Sequence, residues 1–334
     1  MPIPDGILYL TEADVKQTLT VAEALDLAEK GIKADGAGNV NGDKFYMDVN
    51  DHGFIKPFSG YMVGEEYAFV KTFSYFPGNP KKYNRPTTSS QVILFDYETG
   101  LPACFMSADW VTGLKTASST VVTTAFLARP ESEIVTIFGA GTLGRLHLIA
   151  LAERFNLKQA YFVDIVPEAA KSCAVDLETE LGFTVNAVSL DDRESAVRKS
   201  DIIYTVTTGS QELVYLDWLK PGTFIARLGS YQELQLDVIT GADKVIFDRW
   251  KYVSPRIPEV IQLIDDGKFN RESVYAEWPD IVAGKVPGRE SADENIIFIA
   301  LGIWGEYAAI LPEVFRCAKS KGLGRWLPFK PFPN

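Results

Sequence analysis

The stretch from Glu133 to Asp164 limits the fold of this chain more than any other. It reads Glu-Ile-Val-Thr-Ile-Phe, then Gly139-Ala140-Gly141-Thr142-Leu143-Gly144, then the helical pattern Arg-Leu-His-Leu-Ile-Ala-Leu-Ala, then Ala-Tyr-Phe-Val ending in Asp164. An apolar strand enters a G-x-G-x-x-G turn, a helix leaves it, and a second strand ends in an acid about twenty residues on. Each piece has a physical task. Gly139 permits the tight turn, Gly141 lets a pyrophosphate approach the backbone, and Gly144 lets helix and strand pack closely. Phosphates are then expected against the loop Gly139, Ala140, Gly141, Thr142 and Leu143, on the N–H groups of the helix N-terminus. Asp164 can accept hydrogen bonds from both adenosine ribose hydroxyls and repels a 2′-phosphate. The expected cofactor is therefore NAD(H) rather than NADP(H), with Ile165 next to it.

At 334 residues the chain exceeds what one hydrophobic core usually serves, which predicts two domains. A net charge of −11 argues against nucleic acid or an anionic membrane as partner. Cys104, Cys173 and Cys317 show no metal-ligand spacing, so no metal is expected and the thiols read as free. With no charged-then-apolar leader and no apolar run long enough to span a bilayer, the expected location is the cytoplasm.

Before Glu133 the pattern is strand-rich. A helix is expected over Thr11 to Gly31, with Thr20 as a cap and Gly31 as the stop. Strands follow at Phe54 to Pro57, Tyr67 to Phe76, Ser90 to Tyr97 and Pro102 to Ser107, the last two joined as a hairpin through Glu98-Thr99-Gly100. With no helices between them, these strands predict an antiparallel or mixed sheet with a helix on one side. After Glu133, strands and helices alternate. Apolar runs at Ile134–Phe138, Gln159–Val163, Thr184–Val188, Ile202–Thr205, Thr223–Leu228 and Lys244–Asp248 predict an α/β, Rossmann-type doubly wound parallel sheet beside a smaller α+β domain. The all-round apolar run Glu294 to Leu311 reads as a buried helix. The expected division is 1–125, with a C-terminal return over 313–334, and 126–312.

Five blocks in order carry a family resemblance: Val70-Lys71-Thr72 with Phe76-Pro-Gly-Asn79; Gln91 to Asp96 with Glu98-Thr-Gly-Leu-Pro102; Val111-Thr-Gly-Leu-Lys-Thr-Ala-Ser-Ser-Thr120; the Gly139 loop ending in Arg145; and Ile297-Phe-Ile-Ala-Leu-Gly302, similar to a late helix. The chain resembles the ornithine cyclodeaminase/mu-crystallin family over nearly its whole length. That resemblance implies an N-terminal substrate and dimerisation domain, an inserted Rossmann domain, and a cleft where a nicotinamide meets a small amino or imino acid. It also implies that Lys71 is the active-site lysine, and that Thr87, Lys115, Thr116 and Thr120 lie near the cofactor. By their position after parallel strands, Thr207, Thr208, Gly229 and Ser230 are expected on the ribose or nicotinamide side.

Two departures from the family matter. Lys115-Thr116-Ala117 stands where the family has Arg-Thr-Ala, and a lysine supplies a point charge where arginine supplies a bidentate fork. Lys44 stands near the place of a second carboxylate-binding arginine. The turn Gly229-Ser230-Tyr231-Gln232 also lacks the acid expected of a cyclodeaminase, which removes the base for ring closure. The expected function is NAD(H)-dependent reduction of a small imine or ketimine acid, or the reverse amino-acid dehydrogenation. Lys71 is the expected catalytic residue, with Lys71 or a bound water supplying the proton; Lys44 and Lys115 are expected to hold the substrate anion, and a homodimer is expected. An ammonia-eliminating ornithine cyclodeaminase and a non-enzymatic, mu-crystallin-like ligand binder are the alternatives. His147 reads as packing or solvent-facing, and His52 as a turn residue.

Overall fold

The structure, a computed structural model, describes residues 6–49, 52–229 and 231–329. The chain divides into two compact units, Met1–Lys115 with Trp304–Asn334, and Thr116–Ile303. It passes from the first to the second within the helix Asp109–Leu127.

Among the described residues the first unit carries strands β1 (Gly6–Leu10), β2 (Val40–Lys44), β3 (Met47–Val49), β4 (Gly53–Met62), β5 (Tyr67–Tyr75), β6 (Thr88–Asp96), β7 (Pro102–Ser107) and β16 (Arg325–Pro328). They form one mixed sheet in the order β16-β1-β7-β6-β5-β4-β2, with β3 added on β4. The hairpin of β6 and β7 is present and antiparallel, whereas β1 runs parallel to β7. The C-terminal segment returns to this unit as β16, antiparallel to β1.

The expected Thr11–Gly31 helix is two helices. Glu12–Val15 is capped by Thr11, and Val21–Gly36 is capped by Thr20 in a reciprocal box with Glu23. Gly31 does not stop the second helix. It is the point where that helix touches the helix Gly305–Ser320, and a Cβ there would lie 2.3 Å from the Gly305 carbonyl oxygen. Its lack of a side chain therefore serves close packing, which a sequence reads no differently from a terminator. The helix Gly305–Ser320 lies on β4 and β5, with Tyr307 edge-on to Phe58 at 5.9 Å.

The second unit carries β8 (Ile134–Phe138), β9 (Gln159–Val163), β10 (Thr184–Val188), β11 (Ile202–Thr205), β12 (Phe224–Arg227), β13 (Lys244–Phe247), β14 (Ala276–Glu277) and β15 (Ile296–Ile299). Their order is β10-β9-β8-β11-β12-β15-β13-β14, and every pairing among them is parallel. Strands buried on both faces carry near-continuous apolar runs, unbroken in β15 and interrupted only at one end by Thr205, Arg227 and Lys244 in β11, β12 and β13, where every residue is buried. The run expected as a helix over Glu294 to Leu311, including the block at Ile297 to Gly302, is corrected here. Its first part is β15, inserted between β12 and β13, and the helix starts only at Gly305. A short, wholly apolar run has no periodicity to separate a buried strand from a buried helix. No helix among the described residues is long and apolar enough to cross a membrane.

Candidate active site

The glycine-rich turn joins β8 to the helix Thr142–Ala152. Gly139 has φ +106°, and a Cβ at Gly144 would lie 2.0 Å from the Gly139 carbonyl oxygen, so both positions require glycine. A Cβ at Gly141 would meet nothing within 4 Å, which is the open approach that a phosphate needs. Gly141 is the N-cap of the helix and offers no side chain to its first N–H groups. Asp164 closes the cradle from β9. Its carboxylate accepts hydrogen bonds from the Ala140 N–H and the Val166 N–H, both at 2.8 Å. Ile165 and Val166 are exposed directly after it, at 72% and 50%, as is Leu143 on the helix. Exposed apolar side chains around an uncapped helix start and a half-buried acid fit an adenosine diphosphate group.

The C-terminal ends of β11 and β12 are tied together by an acid the sequence reading did not name. Glu233 is fully buried and accepts from the Thr205 hydroxyl at 2.7 Å, the Thr207 hydroxyl at 2.6 Å, and the Thr207 and Gly229 N–H groups at 3.0 Å. Burial pushes its carboxyl above the usual range, opposed by the Arg227 charge and these donors. A Cβ at Gly229 would lie 2.4 Å from the Glu233 carboxyl group, so a side chain there would displace that carboxylate from its donors. Beneath it, the buried Arg227 donates to Glu259 at 2.9 Å and to the carbonyls of Gly229 and Tyr231. Glu259 also accepts from the Glu233 N–H at 2.7 Å. Thr208 is exposed beyond this network, and Ser230 lies outside the described residues. The signal that could have found Glu233 is an acid opening the alternating stretch Glu-Leu-Gln-Leu directly after the turn, where Leu234 and Leu236 mark its buried side.

Thr116 and Thr120 lie one turn apart on the helix Asp109–Leu127. The Thr120 hydroxyl is 3.2 Å from Nε2 of His147, whose Nδ1 is 2.7 Å from the Leu143 carbonyl oxygen. His147 is fully buried, and burial lowers its pKa to about 4, so the ring is neutral and structural. His52 is exposed in a short turn. Thr87 belongs to the first unit, where its carbonyl accepts from the Phe76 N–H at 2.8 Å.

The lysines gather in the first unit. Lys71 sits on β5 between β4 and β6 and is 1% exposed, not at a sheet edge. Its Nζ donates to the Ser90 hydroxyl at 3.3 Å and lies over the rings of Phe58, Phe73 and Tyr307 at 5.5, 5.2 and 5.2 Å. Burial, then the charge of Lys115, lowers its pKa to about 7. Ser90 also donates to Asp109. Although Asp109 is exposed as a residue, partial burial of its carboxyl and the neighbouring Glu12 hold it above the usual carboxylate range. Lys44 on β2 lies over Phe58 at 5.3 Å. Lys115 lies over Tyr307 at 4.8 Å and is ion-paired at 2.8 Å with Glu306, a fully buried acid the sequence reading also missed. Among the described residues no cluster of His, Cys, Asp and Glu suited to a metal ion is present.

The parallel sheet and its glycine turn define a protein of the Rossmann-type dinucleotide-binding class, here joined to a unit with a buried lysine cluster. Within that class, the chain belongs to the ornithine cyclodeaminase/mu-crystallin family, whose profile matches residues 7–322. It is 29% identical over 269 residues, 79% of either chain, to N-((2S)-2-amino-2-carboxyethyl)-L-glutamate dehydrogenase of Staphylococcus aureus. Two solved structures are also similar. The Δ1-pyrroline-2-carboxylate reductase of Thermococcus litoralis, in complex with NADH and L-proline, has 28% identity and a TM-score of 0.90, covering 96% of this chain and 99% of that one. An archaeal alanine dehydrogenase dimer with bound NAD has 27% identity and a TM-score of 0.90, covering 97% and 99%.

Proposed function

We propose that this protein is an NAD(H)-dependent oxidoreductase that interconverts a small imino acid and the corresponding amino acid. The observation that carries the reading is Lys71, a buried lysine whose pKa of about 7 lets it give and take a proton near neutral pH. When bound, the nicotinamide supplies or accepts the hydride at the substrate carbon. Lys71 gives its proton to the imine nitrogen in reduction, through its ammonium, and recovers it in oxidation. Ser90 orients that ammonium, and the aromatic rings around it keep water away while tolerating its charge. Lys44 and Lys115 hold the carboxylate end. Glu233 holds Thr207 and Gly229, and with Thr207 the neighbouring Thr208, in the shape that receives the nicotinamide ribose. Thr116, Thr120 and Thr87 contact the cofactor in the same reading. The dehydrogenase, reductase and NAD-bound relatives support it.

The cyclodeaminase alternative loses ground on one observation. The acid that follows the β12 turn, Glu233, is sealed from solvent and occupied by four hydrogen-bond donors, so it is not placed to act as a base on a substrate amine. The protein is cytoplasmic and a homodimer in this reading. Trp326 and Leu327 on the exposed strand β16, and Phe45 and Met47 near β3, give the first unit apolar surface for a second copy. The test is NADH oxidation with preformed cyclic imines and with 2-oxo acids plus ammonia, on protein whose mass by light scattering exceeds 37.0 kDa. Ammonia release from ornithine without NADH change, or binding without turnover, would overturn it.

Asp164 sets cofactor choice. Wild-type protein is expected to turn over NADH well ahead of NADPH, and Asp164→Ser to narrow the gap by removing the charge that repels a 2′-phosphate. Equal kcat/KM for both cofactors in the wild type would sink that assignment.

A further inference from the structure

A proton carrier that is sealed from water needs a route by which its proton returns. Lys71 is buried, and the rings of Phe58, Phe73 and Tyr307 stand against its ammonium. Among the described residues, the polar group that its Nζ reaches is the Ser90 hydroxyl at 3.3 Å. Strand register accounts for that meeting. Lys71 pairs with Val92 and Phe73 with Ser90, so Ser90 is the diagonal neighbour of Lys71, and both point to the buried face of the sheet.

Ser90 also sits where β6 loses its other partner. β7 ends at Ser107, opposite Gln91, and the chain turns into the helix Asp109–Leu127. The Ser90 carbonyl is still met by the Ala108 N–H at 2.9 Å. The Ser90 N–H, on the same side of the strand, donates to the Asp109 carboxyl in place of a strand carbonyl. The Ser90 hydroxyl donates to that same carboxyl. A hydroxyl accepts and donates at once, so ammonium, hydroxyl and carboxylate form one chain of hydrogen bonds from the buried lysine to an exposed residue. Glu12 fixes the outer end. It accepts from the Ser107 hydroxyl at 2.8 Å and from the Trp110 N–H, so it holds the backbone on either side of Asp109. Partial burial of the Asp109 carboxyl, then the charge of Glu12, favour its protonated form, while Ser90 and Lys71 act the other way.

Resting on the reaction proposed above, we infer that Ser90 and Asp109 are positioning residues that act through Lys71 and form its proton path to solvent. In imine reduction, Lys71 gives a proton to the imine nitrogen and is left as a neutral amine. Its lone pair takes the Ser90 hydroxyl proton, the Ser90 oxygen takes the proton of the Asp109 carboxyl, and the remaining carboxylate is reprotonated from water. Amine oxidation runs the same transfers in reverse and releases one proton to solvent.

The experiment is steady-state reduction, by NADH, of whichever preformed cyclic imine or 2-oxo acid plus ammonia the wild type turns over fastest. Asp109→Asn and Ser90→Ala should each lower kcat on the order of tenfold or more, part of the full contribution of a positioned acid, with KM and NADH affinity near those of the wild type. The double variant should be no slower than the slower single one, because both break the same chain. Formate should restore part of the rate to Asp109→Ala and none to Ser90→Ala, and Asp109→Glu, at an exposed position, should recover most of it. Loss of the Asp109 charge, which favours the charged form of Lys71, should also move the pH transition of reduction below that of the wild type; Lys115, the other charge facing Lys71, is the same in both proteins. Wild-type kcat in either single variant, losses that multiply in the double variant, or no rescue by formate would overturn the path. A slow Lys71→Met beside fast Ser90→Ala and Asp109→Asn strikes the path alone, whereas full activity in Lys71→Met strikes the proposed reaction.

Discussion

Lys71→Met is expected to lower kcat by roughly 10²–10⁴, the usual contribution of a positioned acid or base, while NADH affinity measured by fluorescence titration stays close to that of the wild type. Methionine fills nearly the same volume among Phe58, Phe73 and Tyr307, so the loss reads out the ammonium and not a cavity. The pH dependence carries a sign. With a folded pKa of about 7 against 10.5 for an ordinary lysine, imine reduction should fall as pH rises through 7 and the proton is lost, and amine oxidation should rise over the same range. Stability follows the same shift. Between about 7 and 10.5 the unfolded chain binds the proton that the folded chain has released, so this lysine makes folding more favourable as pH rises across that window and disfavours it below. Full activity in Lys71→Met, or a profile without a transition near neutrality, would remove Lys71 from the chemistry.

The second large effect lies in the other unit. Arg227→Met should cost about 3–5 kcal/mol, because it leaves the carboxylates of Glu259 and Glu233 buried without the guanidinium between them. For a protein of this size, that corresponds to a fall in Tm on the order of 10 °C, read by calorimetry or circular dichroism. NADH affinity should fall with it, since Arg227 also holds the carbonyls of Gly229 and Tyr231, at the turn proposed above to receive the cofactor. Adding Glu259→Met should recover part of the stability by removing one buried charge. A Tm within a degree or two of the wild type would mean that the network contributes nothing to holding this turn.

Much of the second unit was legible because its signals are local. The strand, the glycine turn, the helix and Asp164 fall within one continuous stretch, where Gly139 and Gly144 answer backbone demands of the turn and Gly141 leaves its approach open. The run at Ile296–Ile299 was not legible, because an apolar segment buried on both faces has the same composition in a strand as in a helix, and only its place between β12 and β13 decides. Gly31 was misread for the same kind of reason, since a glycine that ends a helix and one that admits another helix are identical in sequence.

The candidate site divides along the same line. Lys71 and Lys115 could be named from motifs, and Lys56, whose Nζ lies over the same Phe58 and Phe73 rings as that of Lys71, carried a signal that went unread. Lys-x-Phe occurs at 56–58 and again at 71–73, and a period of two puts each lysine on its phenylalanine's face. By itself the sequence determined the dinucleotide turn and the alternating and strand-rich halves, and it singled out Lys71, the lysine proposed to carry the proton. Only the tertiary structure decided that Lys44, Lys56 and Lys71 share one face of the first sheet, that Glu306 pairs with Lys115, and that Glu233 and Arg227 brace the end of β12. Those are contacts between residues distant in the chain, set by strand register and helix packing. Burial, which shifts Lys71 toward neutrality and makes the Arg227 network costly to break, is a property of the folded molecule and of no short segment.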